Sequence, residues 1–190
     1  SATLNKALGL VSGKYIVFLA SDDYMMLDRL EKQVAHMELR DDVGVCGGNF
    51  LYVNENDQIT SRQKINVAAE LDFDDIFWRN KGGPAAPTAM IRRSSIDEVG
   101  GYDPKIAVED LYMWLKISNK GYKISILNDV LAYYRKHDGN SHGNYKWLID
   151  NVLKIYLDYE CHPQYSYVVN QFLISMFVKT ASREKKTALN

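Results

Sequence analysis

The sequence predicts an α/β domain that ends in a helical extension. Three observations carry that reading. Short apolar runs alternate with segments of helical periodicity between Ala2 and Tyr134. One run, Tyr15–Ala20, is apolar without alternation, as expected of a strand covered on both faces of a parallel sheet. From Tyr145 onward the pattern is helical only.

The elements follow in order. Leu4, Ala7, Leu8 and Val11 share one face, which predicts a helix over Ala2–Ser12 with Gly13 in its C-cap region. A chain that opens inside a helix leading to a buried strand reads as the middle of a domain, so the start is expected upstream. After strand Tyr15–Ala20, the residues Leu27, Leu30, Val34 and Met37 recur at helical spacing up to Arg40. Val43–Val53 is a predicted strand, with Gly47 and Gly48 marking a bulge or a close backbone approach. Asn54–Asp57 is a turn and Gln58–Gln63 a return strand. Leu71–Arg79 is helical. The stiff, small-residue run Lys81–Pro87 leads into strand Thr88–Arg92. Ser94 or Ser95 caps a short helix that stops at Gly100-Gly101, and Asp103-Pro104 turns the chain. Helix Glu109–Lys120 is stopped by Gly121, and strands Tyr122–Leu127 and Val130–Tyr134 follow. Helices over Tyr145–Tyr159 and Pro163–Ala181 close the chain.

The 190 residues suffice for one domain, and an apolar fraction of 46% can bury a core. A formal net charge of −1 provides no global attraction to nucleic acid. Thirteen tyrosines suit a carbohydrate or nucleotide binder and an ordinary core equally. Cys46 and Cys161 are far apart and lack metal-ligand spacing, so they read as reduced thiols of a cytoplasmic protein. The apolar runs Tyr15–Ala20 and Phe172–Val178 are too short to span a bilayer, and no signal peptide opens the chain.

Chemistry concentrates at three places. Asp22 and Asp23 stand where the first strand gives out, and ligands of open α/β sheets bind outside the carboxyl ends of strands. Adjacent carboxylates repel, and a hard cation such as Mg²⁺ or Mn²⁺ removes that penalty while sharing phosphate oxygens. Taken alone, the pair also fits a helix cap at Asp23 beside a solvated Asp22. Glu109 and Asp110 open a helix, where the dipole favours negative charge; that suits either capping or a general base. The third place is Tyr133–His142, a predicted loop after a strand. Its Arg135 can offer a planar fork to a diphosphate, and His137 can donate or ligate. His142 is a weaker candidate, and a polar surface loop is the plain alternative. The run Lys81–Pro87 lets backbone approach a ligand and fits either a donor-site wall or a rigid turn. His36, His162, Cys46 and the methionines read as structural.

These motifs resemble family 2 glycosyltransferases. VFLASDDYMMLDRLEKQV is similar to the segment in which a strand ends in an Asp-X-Asp-type motif, with Ala20 at the position where the pattern often has its first Asp. Leu4–Leu8 and Gly13–Ile16 resemble the family's run into that strand. Gly100–Ile124 resembles the stretch holding the Glu-Asp motif, and Tyr133–His142 the Arg-X-His element with a nearby Ser. The three motifs stand in family order over Asn5–Ser141.

The resemblance implies a GT-A-like (Rossmann-like) mixed sheet flanked by helices, partial over residues 1–143, with a helical extension over 144–190 packed on it. It implies inverting, metal-dependent transfer of a sugar from a nucleotide sugar to an acceptor hydroxyl, in cell-surface polysaccharide or glycan synthesis. Asp110 is then the base with Glu109 its neighbour. Asp22 and Asp23 hold the metal and donor diphosphate, with Arg135 and His137 beside the leaving group. The acceptor is a glycan or is lipid-linked, and the protein is cytoplasmic or at the inner membrane face. A sugar-1-phosphate nucleotidyltransferase and a non-catalytic truncated fragment are the rival readings. Tyr165–Lys179 is apolar around most of its girth, followed by the basic Arg183–Lys186. That pattern fits a buried helix, and equally a membrane-surface or subunit contact.

Overall fold

The computed structural model describes residues 1–61, 67–79, 81–136 and 145–183. Among these, seven strands form one mixed sheet. The strands are β1 (Tyr15–Val17), β2 (Tyr24–Met25), β3 (Val43–Val53), β4 (Ile59–Ser61), β5 (Ala69–Leu71), β6 (Met90–Arg92) and β7 (Lys123–Arg135). The main path runs β1-β6-β3-β7-β2, with β4 added to β3 and β5 to β7. Only β3 and β7 pair in parallel among these strands.

The expected parallel setting of the first strand does not hold: β1 pairs antiparallel with β6, Ile16 opposite Ile91. Its lack of alternation has another cause, which is cover on both faces. Ile16 lies in the main core, while Tyr15 and Val17 pack on a smaller cluster of Met37, Val43, Cys46 and Met90. The two strands expected after Gly121 are one, because β7 runs through Asn128-Asp129 with a register irregularity opposite Gly47–Asn49.

Among the described residues, seven α-helices flank the sheet: α1 (Ala2–Leu8), α2 (Arg29–Glu38), α3 (Phe73–Phe77), α4 (Arg93–Val99), α5 (Glu109–Asn119), α6 (Tyr145–Leu157) and α7 (Tyr165–Arg183). Helix α1 stops at Leu8, short of the expected Ser12, because only Leu4 and Leu8 reach the core while Leu10 and Val11 are exposed. Arg93 takes the freed carbonyls of Leu8 and Val11. Helix α3 begins with a capping box between Asp72 and Asp75. Helix α4 is entered from Arg92, and Ser95 donates to the Arg92 carbonyl instead of capping. Gly100, at φ 80°, ends it in the left-handed region.

The buried side of α2 differs most from expectation. Leu27 and Leu30 are exposed, and the inward stripe is Arg29, Gln33 and Met37, each 0% exposed. Arg29 and Gln33 succeed there because the chain opposite offers unpaired carbonyls. Arg29 donates Nη1 to Pro87 O at 2.6 Å, Nη2 to Ala89 O at 2.9 Å and Nε to Gln33 Oε1 at 2.9 Å. Gln33 Nε2 donates to Cys46 O at 2.7 Å and Thr88 O at 2.9 Å. Burial pushes the Arg29 guanidinium down to about 10.

The two expected roles of Gly47-Gly48 coincide. A Cβ on Gly47 would sit 2.2 Å from Pro84 Cβ, and one on Gly48 would sit 2.8 Å from the Asp129 carbonyl oxygen. Gly47→Ala is therefore expected to cost about 1–3 kcal/mol through overpacking. Gly82→Ala, at a position with nothing within 4 Å, is the control. Urea unfolding of both variants checks this: equal midpoints would show that the Pro84 contact is slack.

Candidate active site

The strands β1 and β2 stand at opposite ends of the sheet path, so residues 18–23 carry the chain from one end to the other. This strap turns at Ala20–Asp23, with Asp23 N donating to Ala20 O at 3.2 Å. Its end is docked on β7: Asp23, 9% exposed, accepts the backbone N–H of Arg135 at 2.8 Å. Arg135 is the last residue of β7 and pairs with Val53, the last of β3. The carboxylate pair therefore sits at the carboxyl ends of the two parallel strands. The capping alternative does not apply, since Asp28 holds the N-cap position of α2.

The Arg135 side chain ties this turn to the β3–β4 hairpin. It donates Nε to Asp22 O at 2.9 Å, Nη1 to Asn54 O at 2.6 Å and Nη2 to Asp57 Oδ1 at 2.5 Å. The guanidinium lies 5.7 Å from the Tyr24 ring centroid. Its hydrogen bond holds the Asp57 carboxyl below the usual carboxylate range. His137 and His142 lie outside the described residues.

Glu109 and Asp110 occupy the first turn of α5, where Asp110 Oδ1 accepts the Leu111 N–H at 2.7 Å. That amide is one of those a helix start leaves without an internal acceptor. Both carboxylates line a cavity of about 70 Å³ together with Phe18, Ala86, Tyr102 and Trp114. Phe18 belongs to the strap, so the strap and the start of α5 meet over the segment that precedes β6. Burial, and after it the charges of Glu109 and Asp110, push the Tyr102 phenol above its ordinary range.

Two further groups shape this region. Asn5 clasps the Tyr102 backbone in both directions, donating Nδ2 to Tyr102 O at 2.6 Å and accepting Tyr102 N–H at 2.9 Å. It thereby anchors the loop that enters α5. Trp114 Nε1 donates to Pro84 O at 3.1 Å, and a Cβ on Gly83 would meet the Trp114 ring at 2.5 Å. A second cavity, of about 140 Å³, lies along the same segment between Gly83, Pro84, Ala85 and the β3 residues Gly48, Asn49 and Phe50.

The sequence reading missed Asn5, Arg29 and Gln33 as architects of this region. For α2 a signal existed: Arg29, Gln33 and Met37 also recur at spacing four, a stripe that the exposed leucines obscured.

Among the described residues, no three His, Cys, Asp or Glu side chains cluster as a complete metal-ligand set. Two adjacent carboxylates at a strand end still fit Mg²⁺ or Mn²⁺, because such ions take one or two carboxylates and fill their shell with water and phosphate oxygens.

The family model for glycosyl transferase family 2 matches residues 1–100, which include Asp22 and Asp23 and stop short of Glu109. The chain is 34% identical over 157 residues to the UDP-Glc:alpha-D-GlcNAc-diphosphoundecaprenol beta-1,3-glucosyltransferase WfaP of Escherichia coli, covering 79% of this chain and 58% of WfaP. It is 30% identical over 144 residues to the O-antigen biosynthesis glycosyltransferase WbnJ of Escherichia coli, covering 73% of this chain and 54% of WbnJ. The chain thus spans about half the length of these relatives. In fold it is similar to S. aureus TarS residues 1–349 in complex with UDP-GlcNAc, with a TM-score of 0.62 at 20% identity over 89% of this chain and 50% of that one. With this family match, these relatives and this fold, the chain belongs to glycosyl transferase family 2 and has its GT-A fold.

Proposed function

We propose that the protein carrying this chain transfers a sugar from a nucleotide-sugar donor to an acceptor hydroxyl, with inversion at the anomeric carbon. One observation carries the reading: the strap that presents Asp22 and Asp23 shares a cavity wall, through Phe18, with Glu109 and Asp110. One continuous segment thereby links the two carboxylate pairs across the sheet. The relatives support the substrate classes, since WfaP is named for UDP-Glc and a diphosphoundecaprenol-linked acceptor. The named relatives are glycosyltransferases, which favours this reading over the nucleotidyltransferase alternative.

In this mechanism Asp110 takes the proton of the acceptor hydroxyl as its oxygen bonds to the anomeric carbon. The bond from that carbon to the donor diphosphate breaks, and the diphosphate leaves with the electron pair. Glu109 adds negative charge beside Asp110. Asp22 and Asp23 would hold a divalent cation, which supplies neutralising charge to the departing diphosphate. Arg135 contributes by fixing the turn that carries both carboxylates.

Asp110→Asn keeps the Leu111 N–H acceptor but cannot take a proton. We expect kcat to fall about 10²- to 10⁴-fold while donor affinity changes little. Steady-state kinetics with binding measured separately checks this, and transfer at the native rate would leave Asp110 as a helix-start residue only. In parallel, Asp23→Asn is expected to weaken UDP binding in the presence of Mg²⁺ or Mn²⁺ and to leave metal-free binding unchanged.

The acceptor reading extends to helix α7. Val168 and Met176 are buried, yet Leu173, Ile174, Phe177 and Val178 are exposed, Phe177 by 74%. At about 100° per residue these four, with Tyr167, span an arc of roughly 140° that contains no charged residue. No acidic residue occurs in Tyr165–Arg183, and its basic residues Lys179 and Arg183 lie away from the arc, towards the opposite face of the helix. Among the described residues, no helix is long and apolar enough to cross a membrane. We infer that α7 lies on an anionic bilayer surface, where a lipid-linked acceptor is presented. The protein is expected to float with phosphatidylglycerol-containing vesicles, and Ile174→Glu with Phe177→Glu to abolish flotation. Flotation that persists in the double variant, or sedimentation as a dimer through this face, would overturn the membrane reading.

A further inference from the structure

The segment Pro84–Ala89 separates the two cavities, one lined by Ala86 and Ala89 with Asp110, the other by Pro84 and Ala85 with Gly48 and Asn49. No residue of this segment lies in a strand, so its carbonyls need other donors. Arg29 and Gln33 supply them for three successive residues, Pro87, Thr88 and Ala89. The rest is fixed locally. Thr88 Oγ1 donates to Ala85 O at 2.8 Å and accepts Gly48 N–H at 3.2 Å, while Pro84 O is taken by Trp114. Among the described residues no carboxylate pairs with Arg29, although the side chain is fully buried. A desolvated guanidinium devoted to backbone carbonyls is an expensive way to satisfy them, and its return is rigidity.

We propose that Arg29 and Gln33 are positioning residues for the sugar of the donor: they hold Pro84–Ala89 as the wall against which the sugar ring rests, without touching the ligand. This rests on the nucleotide-sugar reading above. The nucleotide and diphosphate are held by other parts of the protein, including the strap of Asp22 and Asp23. A shift of the wall therefore alters the fit of the sugar and leaves that of the nucleotide.

The test compares two ligands on the full protein, UDP and the UDP-hexose that the wild type turns over best. Arg29→Lys keeps the charge but loses the planar fork, and Gln33→Glu keeps the shape but cannot donate to Cys46 O and Thr88 O. Thermal melting establishes that each variant is folded. The expected result is a loss of about 10- to 100-fold in UDP-hexose affinity with UDP affinity within twofold of wild type. A folded variant that loses both ligands equally, or neither, overturns the proposal. If neither variant folds, the pair is a requirement of the fold alone and the proposal is likewise overturned. Failure of the underlying reading is distinguishable: wild-type protein would then bind no UDP-hexose, or Asp23→Asn would leave metal-dependent UDP binding intact.

Discussion

The charge of Arg29 inside the protein is the constraint around which the rest is arranged. An unpaired guanidinium in an apolar interior costs several kcal/mol unless its donors are satisfied. Here three of its N–H directions end on Pro87 O, Ala89 O and Gln33 Oε1. Helix α2, the chain before β6 and, through Gln33 and Cys46, the middle of β3 are thereby locked together. An apolar residue at position 29 would take these donors from the Pro87 and Ala89 carbonyls, and one at position 33 from the Cys46 and Thr88 carbonyls. The segment is thus irregular where it faces the cavities and ordered where it faces α2.

The site depends on a second, smaller economy. Among the described strands only β3 and β7 run in parallel, and their common end is closed by the strap through Asp23 and the guanidinium of Arg135. The same arginine bonds the hairpin turn at Asn54–Asp57, so one side chain ties the strap to the hairpin. On the other side, Asn5 and Trp114 fix the loop into α5 and the start of the Pro84 segment. Asp23 is placed by a bond from Arg135, and the loop into α5 by bonds from Asn5, each an element distant in sequence.

Features set by local chemistry were legible in the sequence. The span of β3, the stops at Gly100 and Gly121, and the acidic opening of α5 follow from periodicity and caps that lie within a few residues. Gly47-Gly48 was legible as a site of close approach, but not that Pro84 and Asp129 make it. What escaped is non-local. The antiparallel partner of β1 cannot be read from its apolar run, since cover on both faces arises in either direction. The inward turn of Arg29 and Gln33 depends on carbonyls nearly 60 positions away. Asn5 looks like a polar helix residue until Tyr102 is beside it.

The pairing of β3 with β7 has a kinetic consequence. Val43 meets Lys123, eighty residues later, and β6, the partner on the other edge, also follows β3 in the chain. Among the described strands, the short β4 is the partner of β3 that emerges first, and the β7 edge stays open until residues 123–135 have left the ribosome. Long-range pairing of this kind closes slowly, and an apolar strand with open edges is where nascent chains associate with one another. Gly47 and Gly48, which admit Pro84 and the β7 backbone in the finished fold, also weaken the strand's intrinsic preference for extended pairing. The glycines that make room for the native neighbours thereby make β3 a poorer template for the wrong ones.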